Sequence, residues 1–131
     1  MTIGTAVGAL NTALDTIAGL TVHSEPPEFV TSFPCSVSFL ESGEMSVASG
    51  GLDYSLHVIV VDILLGEADV PTVMAAAKTW PEAVLGVLKT NPNLSGTISH
   101  VVFPVRYVVR DLEYGVSEHY GVRFRITIKM Q

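Results

Sequence analysis

Residues Leu52–Leu65, LDYSLHVIVVDILL, constrain the fold more than any other stretch. Val58, Ile59, Val60, Val61 and Ile63 are β-branched, and a run so rich in them favours strand over helix. Alternation places Leu52, Tyr54, Leu56, Val58, Val60, Asp62 and Leu64 on one face. Asp53, Ser55, His57, Ile59, Val61, Ile63 and Leu65 take the other. The first half alternates polar with apolar, and the second half is apolar on both sides. Such a strand begins at a half-wetted edge and runs into the covered centre of a sheet. It is long for a strand, so a bend or bulge is expected within it.

The rest of the chain must pack around that strand. At 131 residues it can bury a substantial core, and its length predicts one domain, 1–131. Hydrophobic residues make up 48% and charged residues 15%, with a mean hydropathy of +0.45. That excludes a disordered tail and is high for a free-standing monomer, so some apolar surface is expected to meet a partner. No apolar run approaches the roughly 18–20 residues of a membrane span, which predicts no membrane partner. No Lys or Arg precedes Lys78, so the basic region of a signal peptide is missing and a cytoplasmic setting is expected. The single cysteine, Cys35, cannot form an internal disulfide.

A net charge of −6 disfavours nucleic acid as a partner. The distribution of charge is more telling. Asp15, Glu25, Glu28, Glu41, Glu44, Asp53, Asp62, Glu67 and Asp69 all precede the first base, and Glu82, Asp111, Glu113 and Glu118 lie among the bases. If the halves of the chain occupy separate faces, the molecule has an acidic and a basic pole suited to head-to-tail self-association; interleaved strands would cancel the asymmetry.

Ile3, Val7, Leu10, Leu14 and Ile17 recur at helical spacing and predict a helix over 2–19, capped by Thr2 and stopped by Gly19. A short strand, Leu20–His23, precedes a linker, Ser24–Ser32, in which Pro26 and Pro27 cannot donate to a ladder. Phe33–Leu40 reads as a strand with Phe33, Cys35, Val37 and Phe39 on one face and Ser36 and Ser38 on the other. Glu41–Gly43 is expected to turn, Glu44–Ala48 to form another short strand, and Ser49–Gly50–Gly51 to supply the turn into the long strand. Asp69 suits the N-cap of a helix with a stripe of Val70, Val73, Met74 and Ala77. Trp80–Pro81 interrupts it, and a second helical piece presents Val84, Leu85, Val87 and Leu88 before Asn91–Pro92–Asn93 ends the region. Thr97–Arg110 is the second long strand, at an edge or a bulge because Pro104 lacks an N–H. After a turn at Asp111–Gly115, Glu118–Met130 alternates an apolar face (Tyr120, Val122, Phe124, Ile126, Ile128, Met130) with a basic one, and the two strands form an antiparallel hairpin.

No catalytic, cofactor or metal residues emerge. His23, His57, His100 and His119 are scattered over four strands without a ligand spacing. Asp53, Ser55 and His57 match a triad in composition, but alternate residues of a strand lie about 7 Å apart, so strand decoration is the expected role. Cys35 reads as a buried, inert thiol and Trp80 as a plug at a helix junction. The basic row Arg123, Arg125 and Lys129, joined by Arg106 and Arg110, is either a solvated face or an interface with acidic groups of a neighbouring subunit.

In element order and in several stretches the chain resembles the tail terminator (tail-completion) proteins of long-tailed phages and prophages. The resemblance runs from the N-terminal helix ending in Ile17–Ala18–Gly19–Leu20–Thr21–Val22, past Pro26–Pro27 and the long strand after Gly51. It continues through Trp80–Pro81–Glu82–Ala83–Val84 and Leu94–Ser95–Gly96–Thr97 to the strand Tyr120–Gly121–Val122–Arg123–Phe124. It implies a structural virion protein, not an enzyme: a homo-oligomeric, hexameric ring at the neck end of the tail. Such a ring caps the tail tube protein, stops its polymerisation and docks the head–tail connector. The expected fold is α+β, a mostly antiparallel sheet with helices packed on one face. The expected subunit or tube contacts are the turn Ser49, Gly50, Gly51 with Asp53, and the basic residues Arg106, Arg110, Arg123, Arg125 and Lys129. Another head–tail joining or minor tail protein is the nearest alternative, and a small-molecule-binding enzyme of ferredoxin-like or hotdog-like build the more distant one.

Overall fold

The computed structural model describes residues 2–25, 32–47, 53–66, 70–114 and 117–130. Helix α1 (Ile3–Leu14) leads to β1 (Thr21–His23), β2 (Cys35–Val47) and β3 (Asp53–Gly66). Then come α2 (Val70–Ala77), α3 (Trp80–Thr90), β4 (His100–Tyr114) and β5 (Ser117–Met130). The strands form one sheet in the order β1-β2-β3-β5-β4. Among the described residues only β1 and β2 run parallel; the pairs β2–β3, β3–β5 and β4–β5 are antiparallel. This is the expected α+β architecture, and no helix among the described residues is long and apolar enough to cross a membrane.

The long strand sits at the centre of the sheet. Its exposure falls along its length, from Tyr54, 37% exposed, to fully buried Ile59, Val60, Val61, Asp62, Ile63 and Leu64. The expected irregularity falls near its end, where pairing with β5 shifts between Leu64 and Gly66. The side bearing Ile59, Val61 and Ile63 meets Val122, Phe124, Ile126 and Ile128 of β5 and is covered by Leu10 and Leu14 of α1 and Trp80, Val84 and Leu88 of α3. Trp80 thus plugs the junction between α2 and α3.

Several boundaries differ from expectation for local reasons. Helix α1 is capped by Thr2, whose Oγ1 accepts from the Thr5 N–H at 3.0 Å, but it ends at Leu14 and not at Gly19. There the Thr16 hydroxyl donates to the Ala13 carbonyl at 2.6 Å, a side-chain bond that competes with the helical ladder. The turn expected at Glu41–Gly43 is a bulge in one continuous strand. Leu40 pairs with Ile59 and Ser42 with Val58, leaving Glu41 as the extra residue. Gly43 is needed beside it, because a Cβ there would lie 2.5 Å from the His57 Nδ1 and 2.9 Å from the Leu56 carbonyl oxygen. The turn expected at Asp111–Gly115 is likewise strand as far as Tyr114, which pairs with Ser117. Strand β4 begins at His100, later than Thr97, because Leu94, Ser95 and Gly96 take positive φ values of 46°, 58° and 82° in a turn. Met74 and Leu85, expected on the core stripes, are 40% and 38% exposed.

Pro104 falls where expected, on the edge strand, within the shift of pairing between Val102 and Arg106. The linker 26–31 and the residues Ser49, Gly50, Gly51 and Asp69 lie outside the described residues.

Candidate interaction surface of the sheet

Pairing registers fix which side chains share the face away from the helices. Across one level lie Val37, Asp62, Arg123 and Val108; across the next lie Phe39, Val60, Arg125 and Arg106. Lys129 and His100 share a level further along, and Arg110 lies beside Gly121. The fold therefore does gather Arg106, Arg110, Arg123, Arg125 and Lys129 on one face. It does not leave them as a bare basic row. Arg123 forks onto Asp62, with Nε–Oδ1 2.8 Å and Nη2–Oδ2 2.9 Å, and its guanidinium lies 5.8 Å from the Phe39 ring centre. Arg125 reaches across Val60 to Glu41, with Nε–Oε1 at 3.0 Å. Lys129 places its ammonium 5.2 Å from the centre of the Tyr54 ring. These partners come from the acidic half of the chain, so the expected separation into an acidic and a basic pole does not form. The reason is topological: β5 inserts between β3 and β4, interleaving the two halves.

That face has a sealed end and a wet end. At the sealed end Cys35, Val37, Leu64 and Leu112 form a second small cluster. Burial pushes the Cys35 thiol up to about 11, which keeps it protonated and unreactive at neutral pH. Leu112 closes over Gly121, where a Cβ would overlap the Ile63 carbonyl oxygen and lie 3.0 Å from Leu112 Cδ1. At the wet end Glu44 and Ser42 are exposed beside Leu56 and Val58.

The sheet also has two open edges. Strand β1 covers β2 only from Cys35 to Val37. Among the described residues nothing pairs with that edge from Ser38 to Val47. At the other edge β4 has no outer neighbour among the described residues. Exposed apolar side chains collect there: Leu40 and Met45 on β2 are 47% and 83% exposed, and Phe103, Tyr107 and Val108 on β4 are 48%, 55% and 41% exposed. Of the turn proposed from sequence, only the Asp53 backbone is described, paired with Val47.

Two features invite a catalytic reading. Ser55 and His57, expected to be too far apart to interact, do bond, Oγ to Nε2 at 2.9 Å. They lie on the helix side, His57 is 5% exposed, and its Nδ1 edge lies against Gly43, leaving no room there for an orienting carboxylate. The contact is that of a satisfied core histidine. A groove of about 320 Å³ between α3 and β4 is lined by Leu85, Leu88, Phe103, Pro104, Val105 and Tyr107, with Glu82 its one charged side chain. It offers no convergent polar set for chemistry. Among the described residues no group of three His, Cys, Asp or Glu is placed to hold a metal ion.

The arrangement defines an α+β domain built on a mostly antiparallel sheet that, among the described residues, has two open edges. No protein-family model matches the chain, and no curated protein matches it.

Proposed function

We propose that the chain is a ring-forming structural subunit of the tail-terminator kind, which caps a phage tail tube, ends its polymerisation and presents a docking surface to the head connector. The observation that carries this reading is the element order. An N-terminal helix, a short strand, a long central hairpin, a broken helical segment and a C-terminal hairpin follow one another as in the family the sequence resembles. The stretches that carry the resemblance sit at architecturally demanding places. Trp80 fills the helix junction, Leu94–Gly96 forms the left-handed turn into β4, and Tyr120–Phe124 lies inside the sheet. Two sheet edges that no described residue pairs, with exposed apolar side chains, suit a subunit that completes itself on its neighbours.

Native mass spectrometry across concentration, with and without magnesium, tests the reading together with electron microscopy of tail tubes. The expected result is a closed six-fold species that binds tube ends and halts growth of the tube protein. Rings found inside the connector instead of at the tube end would assign the chain to another neck position. Protein that stays monomeric and leaves tube growth unchanged would overturn the reading.

A further inference from the structure

We propose that copies of this chain join head to tail by antiparallel pairing of the open edge of β2 on one subunit with the edge of β4, beyond Pro104, on the next. The proposal deepens the ring reading above and rests on it for the number of subunits, but the pairing itself is argued from the two edges.

Direction comes first. Strand β2 is antiparallel to β3, β5 is antiparallel to β3, and β4 is antiparallel to β5. The two free edges therefore run oppositely, and a copy placed beside the first in the same orientation presents β2 antiparallel to β4. The sheet then continues from subunit to subunit with all helices on one side.

Length comes next. The free edge of β2 runs from Ser38, where β1 stops covering it, to Val47, with Glu41 bulged out. The regular part of β4 runs from Arg106, past the irregularity at Pro104, to Tyr114. With the bulged residue discounted, the two segments match in length. Strand β1 would bound the pairing at one end, and Pro104, which has no N–H to donate, at the other. Matching the segments end to end would set Val47 opposite Arg106 and bring opposite faces together, so the strands slip by one residue. Ser46 then lies opposite Arg106 and Ser42 opposite Arg110, and Glu44 falls between the two arginines, within reach of both.

Side-chain chemistry agrees on both faces. Away from the helices, Glu44 is exposed, and no carboxylate of the described residues is bonded to Arg106 or Arg110. Arg106 even stands directly opposite Arg125, a like-charge pair that an incoming carboxylate would relieve. On the helix side, Met45, 83% exposed, would meet Tyr107, 55% exposed. The charges also choose the partner edge. Two β2 edges would bring Glu44 against Glu44, and two β4 edges arginines against arginines; only β2 with β4 unites opposite signs. The interface is thus heterologous, the kind that closes into rings.

The test uses the full chain and native mass spectrometry, with circular dichroism to verify folding. Among the described residues Glu44, Arg106 and Arg110 have no ion-pair partner to lose. Glu44→Arg alone, or Arg106→Glu with Arg110→Glu, should raise the concentration needed for assembly roughly tenfold or more, and the triple variant should recover it. Mixing the two edge variants should restore assembly with alternating subunits, since the substituted β2 edge of one complements the substituted β4 edge of the other and their unaltered edges complement each other. Rings formed equally well by every variant would overturn the edge pairing and leave the ring reading standing. Failure of the unaltered chain to self-associate, alone or on tube ends, would overturn both.

Discussion

Arg123 and Arg125 stand two positions apart on β5, face the same way, and each binds a carboxylate from an earlier strand, yet they do so in different solvents. The Asp62 side chain is fully buried and that of Arg123 is 22% exposed, whereas Arg125 and Glu41 are 43% and 36% exposed. The cause is the neighbourhood. Cys35, Val37, Leu64 and Leu112 dry the first pair, while the bulge at Glu41 lifts the second toward the edge of the sheet. One motif therefore serves two ends: at the sealed end it fixes how β3 and β5 lie together, and at the wet end it leaves a surface that can still exchange partners.

The sealed pair offers the largest effect. Asp62→Ala takes the forked carboxylate away from Arg123 in a poorly hydrated site and should cost about 3–5 kcal/mol in urea unfolding. Replacing both partners, as in Asp62→Leu with Arg123→Met, should recover most of that loss, because desolvation of the charges offsets much of their attraction. A double variant as unstable as the single one would show that the cluster depends on the ions for its shape. The wet pair should matter far less. Glu41→Ala is expected to change stability by only about 0.2–1 kcal/mol, an effect that salt removes. A loss comparable to that of Asp62→Ala would mean that both ends are sealed.

Much of this framework was legible in the sequence. The β-branched run Val58–Ile63, the stripe on α1 and the strict alternation of β5 each report one-sided burial, which leaves a periodic trace. The single turn signals misled. Glu41–Gly43 and Asp111–Tyr114 carry turn residues but lie beside long strands that supply pairing partners across them, and tertiary context overrides local preference. The basic row was legible as a row because alternation fixes its face. Its partners were not, since Asp62 and Glu41 reach it only through the insertion of β5 between β3 and β4, which no local pattern encodes. The open edge of β2 was hidden for the same reason, whereas Pro104 marked β4 as an edge strand. The Ser55–His57 bond was missed because Cβ spacing along a strand does not limit where an imidazole can lean when the facing residue is Gly43.

A third carboxylate contact, at the tip of the β4–β5 hairpin, sharpens the comparison, because there an acid meets another acid. Glu118 stands directly opposite Glu113. Its pKa is raised above the ordinary 4.5, first by the hydrogen bond with Glu113 and then by the charges of Glu113 and Asp111. The folded state therefore holds this proton more tightly than the unfolded chain does. The resulting stabilisation is complete below the ordinary carboxylate range and is lost as pH rises through the raised value. Glu118→Gln keeps a donor toward Glu113 at every pH. The Tm of the native chain minus that of the variant should thus fall as the pH rises from the ordinary carboxylate range through the raised value. The shift should be small, since the site is exposed and water screens it. A difference that stays flat with pH would mean that the two carboxylates do not share a proton in solution, and that the hairpin tip is simply a hydrated acidic end.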